Sequence, residues 1–159
     1  FEAEKIVAHF RNILKQEVLK PQDVFSEVPE LLSFLKNNGM KLAVATNKPT
    51  QLANMALEST RLAHYIDYVV GGDILEPKPS PAIVLECMRE FKQNSDKTLM
   101  IGDRREDMLA ASAVGVKAYG LLQGEHNFSD LKNAGAQHVF TGISEFYRTL
   151  QGGRNFENL

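Results

Sequence analysis

Short apolar runs that close on Asn, Gly or Asp, and that alternate with segments of helical period, constrain this chain more than any other feature. The runs fall at 41–45, 65–70, 99–101, 118–122 and 139–140. Between them, sets such as Leu52, Met55, Ala56 and Leu57, or Ile83, Val84, Cys87, Met88 and Phe91, recur at the spacing of an amphipathic helix. Parallel strands need a crossover connection, usually a helix. Strands and helices alternating at these intervals therefore imply an α/β fold with a mostly parallel sheet covered on both faces.

The remaining punctuation fits that reading. A helical period over 2–19 ends at Lys20-Pro21. Ser26-Glu27-Val28-Pro29-Glu30 reads as a helix start, and Asn38-Gly39 as its close. Further helices are expected over 50–60, 81–92, from 105 onward, 128–134 and 143–150. Glu76-Pro77-Lys78-Pro79-Ser80-Pro81 is a stiff loop, because each proline fixes its own φ and restricts the residue before it. The stretch 151–159 is Gly- and Asn-rich and is expected to fray. The chain opens at Phe1 inside a helical period, as a fragment or a processed chain would.

Several function classes drop out on composition. The net charge of −2 and scattered Lys and Arg give no basic footprint for nucleic acid. No apolar run approaches the ~18 residues of a membrane span, and no signal-peptide pattern opens the chain, so the cytoplasm is the expectation. The single cysteine, Cys87, excludes an internal disulfide and reads as a buried reduced thiol within a helix. His9, His64, His126 and His138 have no metal-ligand spacing and read as structural.

The informative residues stand at strand ends. The first run closes on Thr46-Asn47, a hydroxyl and an amide. The stiff loop presents Lys78, a point charge suited to a phosphate. The run at 99–101 closes on Gly102-Asp103, with Asp107 in the first turn of the next helix. Each has a structural alternative: Asp103 as a helix cap, Asp107 as a complement to the helix dipole, Thr46 as a cap, Asn47 as a turn former and Lys78 as a solvated loop residue. In an open α/β sheet the carboxyl ends of the strands share one edge, where ligands bind. A hydroxyl, a cation and two carboxylates collected there are an inventory for phosphoryl transfer, which is mostly positioning and charge neutralisation. Two carboxylates also suit Mg2+, which favours oxygen ligands and keeps several waters.

The ordered set Thr46-Asn47, Lys78-Pro79 and Gly102-Asp103-x-x-x-Asp107 resembles the second to fourth motifs of the haloacid dehalogenase superfamily. Val28-Pro29-Glu30-Leu31-Leu32 and Ala134-Gly135-Ala136 are similar to its phosphoglycolate phosphatase-like branch. The resemblance covers roughly 25–150. It implies a Rossmann-like three-layer sandwich and Mg2+-dependent hydrolysis of a small phosphate monoester through an aspartyl-phosphate. Thr46 and Asn47 would then hold the phosphoryl group, Lys78 would neutralise it and steady the nucleophile, Asp103 would ligate Mg2+, and Asp107 would support the metal.

Two departures qualify the resemblance. Arg104 stands where the family usually has Ser or Thr. No Asp-x-Asp, the family's nucleophile and acid/base motif, occurs in the sequence; Asp67 lies within an expected strand and in the wrong order. The expected architecture therefore lacks the first, central strand and most of the cap domain. Residues 1–20 would be a remnant cap helix, 21–150 an incomplete core and 151–159 a flexible tail. The chain alone is expected to be inactive without an upstream segment or a strand-donating neighbour. The alternative is a non-catalytic module of the same fold that binds a phospho-metabolite or a protein partner. A phospho-acceptor receiver domain fails on motif order, and a dinucleotide binder on the lack of Gly-x-Gly-x-x-Gly after a strand.

Overall fold

A computed structural model describes residues 24–152. The helix expected over 2–19, the cap remnant and all but the start of the expected tail lie outside the described residues.

The order of elements is α1 (Val28–Asn37), β1 (Ala43–Thr46), α2 (Thr50–Ser59), a 3-10 turn (Ala63–Tyr65), β2 (Tyr68–Gly71) and α3 (Ala82–Phe91). A second 3-10 turn (Ser95–Lys97), β3 (Leu99–Gly102), α4 (Arg105–Ser112), β4 (Lys117–Leu121), α5 (Phe128–Asn133), β5 (His138–Phe140) and α6 (Ile143–Gln151) follow. Pro29 sits in the first turn of α1, where a missing N–H costs nothing. Gly39, at φ 78°, takes the left-handed conformation just past that helix, which glycine adopts without a Cβ penalty.

One boundary differs in an instructive way. The run expected as a strand over 65–70 begins pairing only at Tyr68, because Ala63–Tyr65 winds into a 3-10 turn. Asp67 is therefore outside the strand. Its carboxylate accepts the Leu42 N–H at 2.8 Å and pairs with Lys36 Nζ at 2.7 Å, fastening α1 to the approach of β1. Burial alone would raise the Asp67 pKa, but the Lys36 ammonium and the Leu42 amide outweigh it and hold the carboxyl below its ordinary range.

All strand pairs are parallel. β1 pairs with β2, with Ala43 opposite Tyr68 and Thr46 opposite Gly71. β3 pairs with β4, and β4 with β5. Among the described residues these are two separate ladders, of two and three strands. The three-stranded sheet carries a core on each face. One is built on Met108, Ala110, Ala111, Val116 and Leu131, and the other on Leu31, Tyr119, Phe140, Phe146 and Leu150. The two-stranded sheet has a smaller cluster of Val70, Ile83 and Cys87. No described helix is long and apolar enough to cross a membrane.

Candidate active site at the strand ends

The site is organised by Lys78. Asn47, one residue past β1, clamps the backbone of that residue from both sides. Its Nδ2 donates to Lys78 O at 2.8 Å, and the Lys78 N–H donates to Asn47 Oδ1 at 2.7 Å. The Lys78–Pro79 peptide is cis. Held this way, the Lys78 side chain is only 8% exposed. Its Nζ donates to Ala45 O at 2.6 Å and to Asp107 Oδ1 at 2.5 Å.

Asp107 is the third residue of α4 and is buried like its partner. Its Oδ2 accepts the Arg104 N–H at 3.1 Å, the carboxylate half of a capping box. Gly102 makes the approach possible: a Cβ there would overlap the Asp107 carboxylate. Burying an ammonium and a carboxylate costs several kcal/mol per ion unless each is paired and hydrogen-bonded. Here both are. The bridge from Ala45 O to Asp107 also places the carboxyl ends of β1 and β3 on the same edge, as the sequence pattern required.

Thr46 and Asp103 complete the set without being consumed by it. Thr46 Oγ1 accepts the Lys48 N–H at 3.1 Å, which leaves the hydroxyl hydrogen to donate. The threonine does not cap α2. That helix is served from across the sheet by Asp73, whose Oδ1 accepts from Thr50 N–H at 2.7 Å and Thr50 Oγ1 at 2.9 Å. Asp103 does not cap α4 either, since Arg104 is the boundary residue. Asp103 makes no hydrogen bond or ion pair among the described residues, and the loop after β4 lies against it so tightly that a Cβ on Gly124 would overlap its carboxylate.

Gly71-Gly72-Asp73 closes the apolar run over 65–70 in sequence, but nothing in the sequence assigns it a part in the site. A Cβ on Gly71 would meet Lys48 O and Thr50 N, and one on Gly72 would meet Asn47 O at 2.8 Å. Two glycines followed by Asp at the end of an apolar run was the available signal. The structure thus joins Asn47, Lys78 and Asp107 in one bonded network, with Thr46 and Asp103 on the same edge.

Other candidates fall away. Burial pushes the Cys87 thiol up to about 11, so it stays protonated and is no nucleophile. His64 stacks on Tyr65, and His138 on Phe140. No cluster of three or more His, Cys, Asp or Glu side chains among the described residues is placed to hold a metal. Mg2+ does not require one, because it binds through one or two carboxylates and keeps its waters. The unpartnered Asp103 carboxylate fits that demand, while both oxygens of Asp107 are engaged by Lys78 and Arg104.

Comparison with known proteins agrees with this geometry. A family model described as haloacid dehalogenase-like hydrolase matches residues 2–121. The chain is 36% identical to "Probable phosphatase IndB" of Dickeya dadantii, over 91% of this chain and 65% of that protein. It is 30% identical to a phosphoglycolate phosphatase of Colwellia psychrerythraea, over 91% of this chain and 63% of that protein. A crystal structure of a predicted phosphatase from Clostridium acetobutylicum superposes with a TM-score of 0.75 at 32% identity, covering 82% of this chain and 61% of that one. The chain thus spans less than two thirds of the length of these relatives.

Proposed function

Because the chain belongs to the haloacid dehalogenase-like hydrolase family, we propose that its strand-end crevice is the phosphate-binding half of a phosphoglycolate phosphatase-like site. The observation that supports this most directly is the buried Lys78–Asp107 pair, clamped by Asn47. An ammonium has three N–H donors, and two are spent on Ala45 O and Asp107. The third is left for a phosphoryl oxygen, and the Thr46 hydroxyl supplies another donor. Asn47 serves the phosphoryl group through Lys78, since both ends of its amide hold that residue's backbone.

Charge makes the same point. Lys78, Asp107 and Asp103 sum to −1, which repels a phosphate on its own. Mg2+ held by Asp103, with Asp107 steadying the surrounding charge, would turn that sum to +1 and neutralise the phosphoryl oxygens. The substrate is a small phosphate monoester. An aspartyl-phosphate would need a nucleophilic carboxylate that no Asp-x-Asp in these 159 residues supplies.

The test is to rejoin the chain to an upstream segment bearing Asp-x-Asp. Mg2+-dependent hydrolysis of small phosphate esters is the expected outcome, and Asp103→Asn should abolish the response to Mg2+. A rejoined protein that stays inert on a broad ester panel overturns the proposal. The absence of Asp-x-Asp favours a second reading, a non-catalytic module that binds a phospho-metabolite or a protein partner. Calorimetric binding of phosphoglycolate in Mg2+ by the rejoined protein, without turnover, would select it.

A further inference from the structure

The two donors assigned to the phosphoryl group, the Thr46 hydroxyl and Lys78 Nζ, are both set by one short loop, residues 46–50. The Lys48 N–H donates to Thr46 Oγ1. Asn47 holds Lys78 by both sides of its backbone. What fixes the loop itself comes from across the sheet, from the turn Gly71-Gly72-Asp73 at the end of β2. Four bonds join the two. The Gly72 N–H donates to Lys48 O at 3.3 Å. Asp73 Oδ1 accepts the Thr50 N–H at 2.7 Å and the Thr50 hydroxyl at 2.9 Å. Thr50 Oγ1 in turn accepts the Gly71 N–H at 3.0 Å.

Thr50 opens α2, and Pro49 before it supplies no side-chain cap. The first N–H groups of a helix are ordinarily served by the side chain at its boundary. Here a carboxylate 23 residues further along the chain takes that place, and its charge complements the positive end of the helix dipole. An ordinary cap would satisfy α2 and stop there. This one belongs to a turn that also binds Lys48 O. The turn lies against the stiff loop carrying Lys78 as well, since a Cβ on Gly72 would come within 3.2 Å of Pro77 Cβ.

We propose that Asp73 is a positioning residue for this crevice. By fixing Thr50 it holds the 46–50 loop, which through Asn47 aims the Lys78 ammonium and through Lys48 orients the Thr46 hydroxyl. Asp73 acts through that loop and not on a substrate. The acceptor matters more than the charge: Asn at position 73 keeps an Oδ1 that accepts both Thr50 bonds, and Ala keeps none. Assigning phosphate to the crevice rests on the phosphatase reading, whereas the hold on Lys78 does not.

The test reads Lys78 directly, in the 159-residue protein. Under limiting acetic anhydride the buried, paired Lys78 should be acylated far more slowly than the exposed Lys48. Asp73→Ala should speed acylation of Lys78 about tenfold, the scale of a lost helix cap, and Asp73→Asn should stay within about twofold of the native rate. Leu52→Ala empties a buried site in α2 without touching these bonds and should speed Lys78 less. Destabilisation alone would put Leu52→Ala first, because a lost core leucine costs more than a lost cap. Thr50→Val keeps the N–H bond, loses the hydroxyl and should give a roughly threefold increase. Equal or greater acceleration by Leu52→Ala, an unchanged rate in Asp73→Ala, or an Asp73→Asn rate equal to that of Asp73→Ala overturns the proposal. If Asp73→Ala does not fold, Thr50→Val decides, and an unchanged Lys78 rate there overturns it. Inorganic phosphate titrated in Mg2+ and followed by phosphorus NMR should bind about tenfold more weakly to Asp73→Ala and regain its affinity in Asp73→Asn. A native protein that binds no phosphate counts against the phosphatase reading, while the acylation rates still decide the role of Asp73.

Discussion

β3 and β4 are adjacent parallel strands of similar apolar character, yet they are buried very differently. Ala118, Tyr119 and Leu121 of β4 are buried, with Ala118 wholly inaccessible, whereas every residue of β3 is only partly buried. β1 matches β3 in this respect, with all four residues partly buried. β4 has a strand on each side; β1 and β3 have one apiece. A second neighbour is what β4 has and β1 and β3 lack, although a strand with one neighbour can still bury single residues, as β2 buries Val70 and β5 buries Phe140. The molecule is therefore finished around β4 and open between β1 and β3.

The largest expected effect lies where the two regions are tied together. Lys78→Ala leaves the Asp107 carboxylate buried without its counter-charge and should cost about 3–5 kcal/mol in urea unfolding. The double variant Lys78→Met/Asp107→Leu should be less destabilised than Lys78→Ala, because neither charge is then left buried; a greater loss would break this account.

Contrasting core truncations sharpen the comparison. Leu131→Ala, packed against β4 in the closed half, should cost about 3–4 kcal/mol, and Val70→Ala, in the smaller cluster, about 2 kcal/mol. Similar losses at the two sites would mean that the two halves are equally well packed. Asn47→Ala removes both bonds to the Lys78 backbone and should cost about 1–2 kcal/mol by chemical denaturation.

The smallest effect concerns Asp67. Its depressed pKa means that its contribution is present above the unfolded value, near 3.8, and disappears as pH falls through the folded value. Asp67→Asn should lower stability by about 1 kcal/mol at neutral pH and flatten the loss of stability as pH falls below the unfolded value near 3.8. An unchanged acid limb in thermal melts would show that the Lys36 pair contributes nothing.

Much of this was legible in residues and spacing. The alternation of short apolar runs and segments of helical period determined an α/β fold with parallel strands, and the strand closings at Thr46, Asn47 and Gly102-Asp103 marked the sheet edge where the candidate site residues gather. Periodicity carries that information because it reflects which side of each element meets the core. Strand edges were read less well: Asp67 was placed inside a strand it only abuts, because an apolar run does not register where pairing begins.

What the tertiary structure alone decided are the long-range pairings. Nothing near Asn47 in the chain announces that its amide will grip the backbone of Lys78, 31 residues on, or that Asp73 will serve the start of α2 in place of Thr46. Asp107 read as a metal-supporting carboxylate, and the fold gives its two oxygens to Lys78 and Arg104, whereas Asp103 has no hydrogen bond or ion pair among the described residues. Such bonds connect residues by proximity in space, and a one-dimensional pattern has no term for the distance between elements. The opening between β1 and β3 is decided at the same level, since a strand's two edges are alike in sequence and only the arrangement of its neighbours tells them apart.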